Sequence, residues 1–147
     1  MKPWSRRFAF RAAAAAAAIA ALGACGSMKA EETGQQLRLL GSSEVPPVNT
    51  TAYGTATVNV MDDRRVAVTV SVMGMTPTAA HIHEGAAGTN GPVIVPLQKI
   101  SDNAFVAADG ARLTEAQYAS YKAGNTYINV HSAKFPGGEV RAQLAGR

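Results

Sequence analysis

Two adjoining runs of alternating apolar and polar residues constrain this chain more than any other feature. The apolar positions are Ala52, Gly54, Ala56, Val58 and Val60 in the first run, and Val66, Val68, Val70 and Val72 in the second. A period of two places all the apolar side chains of a strand on one face. The pair Asp62-Asp63 between the runs is typical of a turn. The pattern therefore predicts two antiparallel strands joined as a hairpin, each with one buried face.

The rest of the chain continues this pattern of short strands. Further strands are predicted at Gln35–Leu40, Ala79–Glu84, Pro92–Leu97, Asn103–Ala107, Thr126–Ser132 and Glu139–Leu144. One helix interrupts them, with Thr114 as its N-cap, Gln117 as the capping-box partner, and Gly124 at its end. Seven or eight short strands with one short helix predict an all-β fold, a Greek-key β-sandwich or barrel.

The N-terminal residues have the features of an export signal. Four basic residues precede an apolar run, Ala12 to Leu22, that is too short to span a bilayer. The following Leu22-Gly23-Ala24-Cys25 resembles the lipobox of bacterial lipoproteins, which implies lipidation of Cys25 and cleavage before it. We therefore predict a lipoprotein signal peptide at 1–24, a tether at 25–34 and a folded domain at 35–147. The alternative is an ordinary secretory signal that leaves Cys25 as a spare thiol.

This assignment places the protein outside the cytoplasm. The resemblance implies a domain that is lipid-anchored in the bacterial cell envelope, in the periplasm or at the outer membrane. The chain has 14 basic and 10 acidic residues, a formal charge of +4. All four excess basic residues precede Cys25, so the mature chain is neutral and has no charge to attract nucleic acid. The single Cys excludes an intramolecular disulfide and any multi-Cys metal site.

The three histidines of the chain are its most informative polar residues. His81 and His83 are two residues apart on a predicted strand, so they point to the same side. His131 is in phase with Tyr127 and Asn129 on the polar side of another strand. If the two strands are neighbours, the three imidazoles converge, and imidazole suits copper and zinc. The set predicts a copper site or a three-His zinc site with one open position; the alternative is surface histidines on unrelated edges.

Several motifs in order resemble the signatures of the CHRD (chordin-type) domain. They are Leu40-Gly41, Glu44–Pro47, Gly54–Ala56, Ala80–Gly85, Gly88–Val93, Tyr127–Ser132 and Pro136–Leu144. The resemblance covers about Gln36 to Leu144. It implies either a module of extracellular regulators or a bacterial secreted single-domain protein. A metal-free module that binds another envelope protein is therefore the alternative function.

The segment His81-Ile82-His83-Glu84 also resembles the copper-binding strand of copper/zinc superoxide dismutases, which are Greek-key β-barrels. That likeness implies His81 and His83 as copper ligands and His131 as the third. The chain lacks a fourth His and a disulfide, which excludes a dinuclear copper/zinc enzyme. We therefore expect copper binding, copper transfer with a donor or acceptor, or redox protection. A copper-only dismutase-like enzyme is a less favoured form of the same hypothesis.

Two further residues are candidates near this site. Met75, with Met73, precedes the His strand, and its thioether is either a soft Cu(I) ligand or core packing. Arg141 would lie near His131 if the last hairpin pairs it with Asn129, where it would steer an anion. The alternatives for Arg141 are a pairing with Glu139 or a structural contact with the backbone. Asn90-Gly91 predicts a turn within the glycine-rich loop before Pro92.

Overall fold

The computed structural model describes residues 34–146, and these form an antiparallel β-barrel with one short α-helix. The strands are β1 (Gln35–Leu40), β2 (Tyr53–Val60), β3 (Val66–Met73), β4 (Pro77–Glu84), β5 (Val93–Ser101), β6 (Ala104–Ala107), β7 (Thr126–Ser132) and β8 (Val140–Gln143), and α1 spans Glu115–Lys122 between β6 and β7. The predicted signal peptide, Cys25 and the tether up to residue 33 lie outside the described residues.

The strands close into a barrel in the order β1-β2-β3-β6-β5-β4-β7-β8. Strand β8 completes the ring through the pair Leu40 and Arg141. Strands β4, β5 and β6 are consecutive neighbours, and β7 returns to lie beside β4. That spatial order is a Greek key. The predicted all-β Greek-key fold with one short helix is therefore confirmed, as a barrel rather than an open sandwich.

The alternating residues fill the barrel as the sequence predicts. The apolar positions of β2 and β3 are buried, and the two strands pair from Tyr53–Met73 to Val60–Val66. The largest buried apolar side chains are Leu39, Val58, Val70, Val72, Ile82, Phe105, Tyr121, Ile128, Val130, Val140 and Leu144. Burial of these side chains is the main source of stability for a domain of this size.

The helix forms where the capping signal predicts it. The Thr114 hydroxyl accepts the Gln117 backbone N–H at 3.2 Å, and the Gln117 side chain accepts the Thr114 N–H at 2.8 Å. Tyr121 packs into the core, and the Ser120 hydroxyl donates to Glu84 on β4. Within residues 34–146, no helix has the length and apolar character needed to cross a membrane.

Candidate metal centre

The pairing of β4 with β7 brings the three histidines together. His81 lies opposite Asn129, His83 opposite Tyr127, and His131 opposite Ala79. His81 and His131 are thus diagonal neighbours on the outer face of the barrel, while Ile82 and Val130 point into the core. The condition set by the sequence, that the two strands be neighbours, is met.

This outer face is covered by loops. The 85–92 loop between β4 and β5 and the 133–139 loop before β8 contact it through Gly91 and Pro136, and the 41–52 connection after β1 is hydrogen-bonded to the 85–92 loop. As a result every residue of β7 is buried, including those on its polar side. His83 is 8% exposed and His131 9% exposed, and His81 is intermediate. The histidines are therefore outside the barrel core but largely shielded from solvent.

The three rings converge closely enough to share one ion. One nitrogen from each ring can be chosen so that all lie within 4.8 Å of one another. His81 Nδ1 and His131 Nε2 are 2.9 Å apart. Bonds from copper or zinc to imidazole nitrogen are about 2 Å. Binding of one ion by all three rings therefore requires the two most distant nitrogens to move closer together. The cluster is compatible with metal binding.

Backbone carbonyls fix which nitrogen two of these rings present. His83 Nδ1–H donates to the Gly91 carbonyl, and His131 Nδ1–H donates to the Pro136 carbonyl, both at 2.9 Å. A carbonyl can only accept, so in the neutral rings the proton is on Nδ1 and Nε2 carries the lone pair. His83 Nε2 is buried and has no hydrogen-bond partner. Histidines that ligate a metal through one ring nitrogen usually donate a hydrogen bond from the other nitrogen. His83 has this arrangement, with Nε2 available for the metal and Nδ1 bonded to the Gly91 carbonyl.

The surroundings of His81 and His131 favour the neutral imidazole. Burial, followed by the charges that His131 and His83 would carry, lowers the pKa of His81 to about 4. Burial also lowers the pKa of His131, against the opposing effect of its hydrogen bond to Pro136. Metal ligation requires neutral imidazole. For His81 and His131, proton competition therefore begins below the usual range of histidine.

The two methionines are placed differently. Met75 is partly buried and packs against the core cluster, as the packing alternative expects. Met73 is 58% exposed, and the Tyr53 hydroxyl donates to its sulfur at 3.2 Å. Metal ligation by Met75 remains a prediction without further support from these contacts.

Arg141 lies where the predicted pairing puts it, opposite Asn129, but its side chain is only 1% exposed. Its guanidinium donates to the Thr89 carbonyl at 2.8 Å and to Asn90 Oδ1 at 3.1 Å. A buried guanidinium with these partners favours the structural alternative over the steering of a free anion. The expected alternative partner, Glu139, instead accepts hydrogen bonds from Thr50 and Ser132.

The 85–92 loop differs from the prediction in one respect. The turn is at Ala86–Thr89, closed by the Thr89 N–H to the Ala86 carbonyl, with Gly88 at φ 78°. The prediction of a turn at Asn90-Gly91 was wrong, since neither residue has the positive φ that an Asn-Gly hairpin turn requires. The Asn90 side chain instead joins the loop to two other segments. It donates to the Val45 carbonyl at 2.7 Å and accepts from Arg141.

The groups that orient the histidines were not predicted from the sequence. Tyr127 stacks on His83, with the ring planes 5° apart and the centroids 4.8 Å apart. Its phase with His131 was a usable signal for a neighbour of the site. The carbonyls of Gly91 and Pro136 gave no signal in the sequence, because every residue has a carbonyl and only the packing of the loop sets its direction.

The family comparison agrees with this architecture. The CHRD domain model matches residues 36–144, from β1 to just past β8. CHRD domains are typically extracellular or secreted. No curated protein and no solved structure gives a match. Because the matched region is most of the chain and contains the barrel except for its first residue, this protein belongs to the CHRD domain family.

Proposed function

We propose that this CHRD domain binds one copper ion through His81, His83 and His131. The observation that carries the proposal is the buried, unpartnered Nε2 of His83 beside the other two imidazoles. Burying a polar atom without a partner is costly, and a metal bond to that lone pair would satisfy it. His83 and His131 would bind through Nε2, and His81 through Nδ1. The His81 Nδ1 proton, now donated to His131 Nε2, would leave to solvent while His81 Nε2 takes up another, so that the ring stays a neutral ligand.

The donor set favours copper over the other metals that imidazole binds. Within residues 34–146 the cluster consists of three His, with no carboxylate among its members. Three imidazoles suit copper or zinc, and copper(II) is bound more tightly than zinc by a given nitrogen site. A hard cation such as magnesium prefers oxygen ligands. Bound copper supplies either a transferable ion or a one-electron redox centre.

The setting of the proposed site is the exported, lipid-anchored form of the protein. Residues 1–24 would direct export and Cys25 would carry the lipid, which would hold the domain at the cell envelope. The role there would be copper binding, exchange with a donor or acceptor, or redox protection. Labelling cells with a radioactive fatty acid tests the anchor: wild type should incorporate label and Cys25→Ser should not.

Copper titration of the purified chain tests the site. Wild type should bind one equivalent of Cu(II) or Cu(I) in competition with a chromophoric chelator. His131→Ala should weaken this binding by at least tenfold, because removal of one of three ligands leaves a two-coordinate site. Gln98→Ala, an exposed change on β5, should bind as wild type does.

The opposite result would favour the metal-free interaction module. If wild type and His131→Ala bind copper equally and weakly, the three histidines do not form a site. A partner protein captured equally well by wild type and by a chain lacking all three histidines would then account for the domain.

A further inference from the structure

Arg141 joins the last strand to the loop that covers the histidines. Two nitrogens of its buried guanidinium donate to consecutive residues of the 85–92 loop, the Thr89 carbonyl and Asn90 Oδ1. Asn90 in turn donates to the Val45 carbonyl at 2.7 Å. The planar fork of arginine makes such paired contacts, and lysine cannot reproduce them. Arg141 thus fixes the loop against both β8 and the 41–52 connection.

The next residue of the loop acts directly on His83. The Gly91 carbonyl accepts His83 Nδ1–H, and the Gly91 N–H donates to the Tyr127 hydroxyl at 3.2 Å. The Tyr127 ring stacks on His83, while the Arg141 guanidinium carbon lies 3.4 Å from the centroid of the same ring. A Cβ at position 91 would collide with the Glu84 carbonyl, so this close approach requires glycine.

We infer that Arg141 is a positioning residue for the metal site. By fixing the 85–92 loop and packing on Tyr127, it keeps the Gly91 carbonyl against His83, which holds the proton on Nδ1 and leaves Nε2 for the metal. The metal part of this inference rests on the proposed function. The control of the His83 tautomer does not, because it exists in the metal-free protein.

Nuclear magnetic resonance of the metal-free protein, labelled with ¹⁵N at histidine, tests the tautomer. Wild type should show His83 protonated at Nδ1. Arg141→Lys retains the positive charge but loses the fork, and it should show a mixture of the two His83 tautomers. Its affinity for Cu(I) should fall about tenfold, the lower end of the range for loss of an outer-sphere partner. Arg141→Lys that matches wild type in both measurements would overturn the inference.

A second variant covers the case in which a change at the buried Arg141 prevents folding. Asn90 is exposed, so Asn90→Ala should fold, yet it removes one loop contact of Arg141 and the contact to Val45. It should shift the His83 tautomer and the Cu(I) affinity in the same direction as Arg141→Lys, by less. Asn103→Ala, an exposed asparagine in the β5–β6 turn, is the matched control and should change neither.

Failure of the copper proposal can be distinguished from failure of the proposed positioning role of Arg141. If Arg141→Lys or Asn90→Ala shifts the tautomer but wild type binds no copper, the positioning role stands and the copper proposal fails. If wild type binds copper and neither folded variant changes the tautomer or the affinity, the copper proposal stands and the positioning role is wrong.

Discussion

Glu44 shows how a single buried carboxyl can set the pH response of this domain. It follows the 3₁₀ turn Gly41–Ser43 and is only 4% exposed, and its Oε1 has no hydrogen-bond partner. Burial raises the pKa of Glu44 to about 7, although the charge of Arg141 and hydrogen bonds from Asn129 and the Val45 backbone act to lower it. The folded protein therefore holds a proton on Glu44 at pH values where the unfolded chain does not.

Glu44→Gln should remove this pH dependence. Because the folded-state pKa of Glu44 is raised, its contribution to stability is present below pH 4.5 and is lost as the pH rises through 7. The stability of Glu44→Gln relative to wild type should increase by roughly 3 kcal/mol between pH 4.5 and pH 8, since one pKa unit is worth about 1.4 kcal/mol. Denaturant unfolding at four pH values measures this, with Asp102→Asn as an exposed control. Parallel stability curves for wild type and Glu44→Gln would contradict it.

Wild type and Glu44→Gln should both show a second dependence of stability on pH, which comes from His81 and runs in the opposite direction. The folded-state pKa of His81 is lowered to about 4, so the unfolded chain binds more protons as the pH falls below 6.5. Stability is then lost progressively from about pH 6.5 down to 4. The same set of unfolding measurements detects this loss on the acid side.

At the scale of elements, the connection between β6 and β7 is stabilised by interactions between residues that are close in sequence. It contains α1, whose capping box satisfies two backbone N–H groups that the first turn would otherwise leave free. Tyr121 and the Ser120–Glu84 contact attach the helix to the barrel and to the end of β4. The helix thus supports the strand that carries His81 and His83.

Thr114→Ala should destabilise this element without disturbing the metal site. Loss of an N-cap threonine costs about 1 kcal/mol. Amide hydrogen exchange should therefore show faster exchange in α1, while exchange in β7 and the affinity for copper stay unchanged. Thr78→Ala, an exposed threonine on β4, is the matched control. Unchanged protection of α1 in Thr114→Ala would show that packing of Tyr121 alone sustains the helix.

At the scale of the whole molecule, the candidate site joins parts of the chain that are far apart in sequence. The ligands come from two strands, and the groups that orient them come from loops on either side. An ion bound across β4 and β7 favours only the folded chain, so copper binding and global stability should be linked.

Copper should therefore raise the melting temperature of the wild-type chain. A free Cu(I) concentration about 100 times the Kd adds about 2.7 kcal/mol, which corresponds to an increase in Tm on the order of 10 °C for a domain of this size. Calorimetry with and without Cu(I) measures the shift. A chain with alanine at positions 81, 83 and 131 should show no increase. An equal increase in that variant would locate the copper elsewhere.

The strands, their inward faces and the capped helix followed from the sequence by itself. The strands depend on apolar residues that alternate with a period of two, and the helix depends on a capping box whose two residues are three positions apart. The three-His cluster was predicted in part: phase placed His81, His83 and His131 on the polar faces of their strands, but only the pairing of β4 with β7 made them neighbours. Burial of that polar face, the carbonyls that fix the tautomers, and the role of Arg141 were decided by the tertiary structure. The Gly91 and Pro136 carbonyls lie only 8 and 5 residues from the rings they orient, but Arg141 reaches the 85–92 loop across 51 and 52 residues of chain. Where the loop packs, and so where it aims a backbone carbonyl, depends on such distant contacts and not on a local pattern.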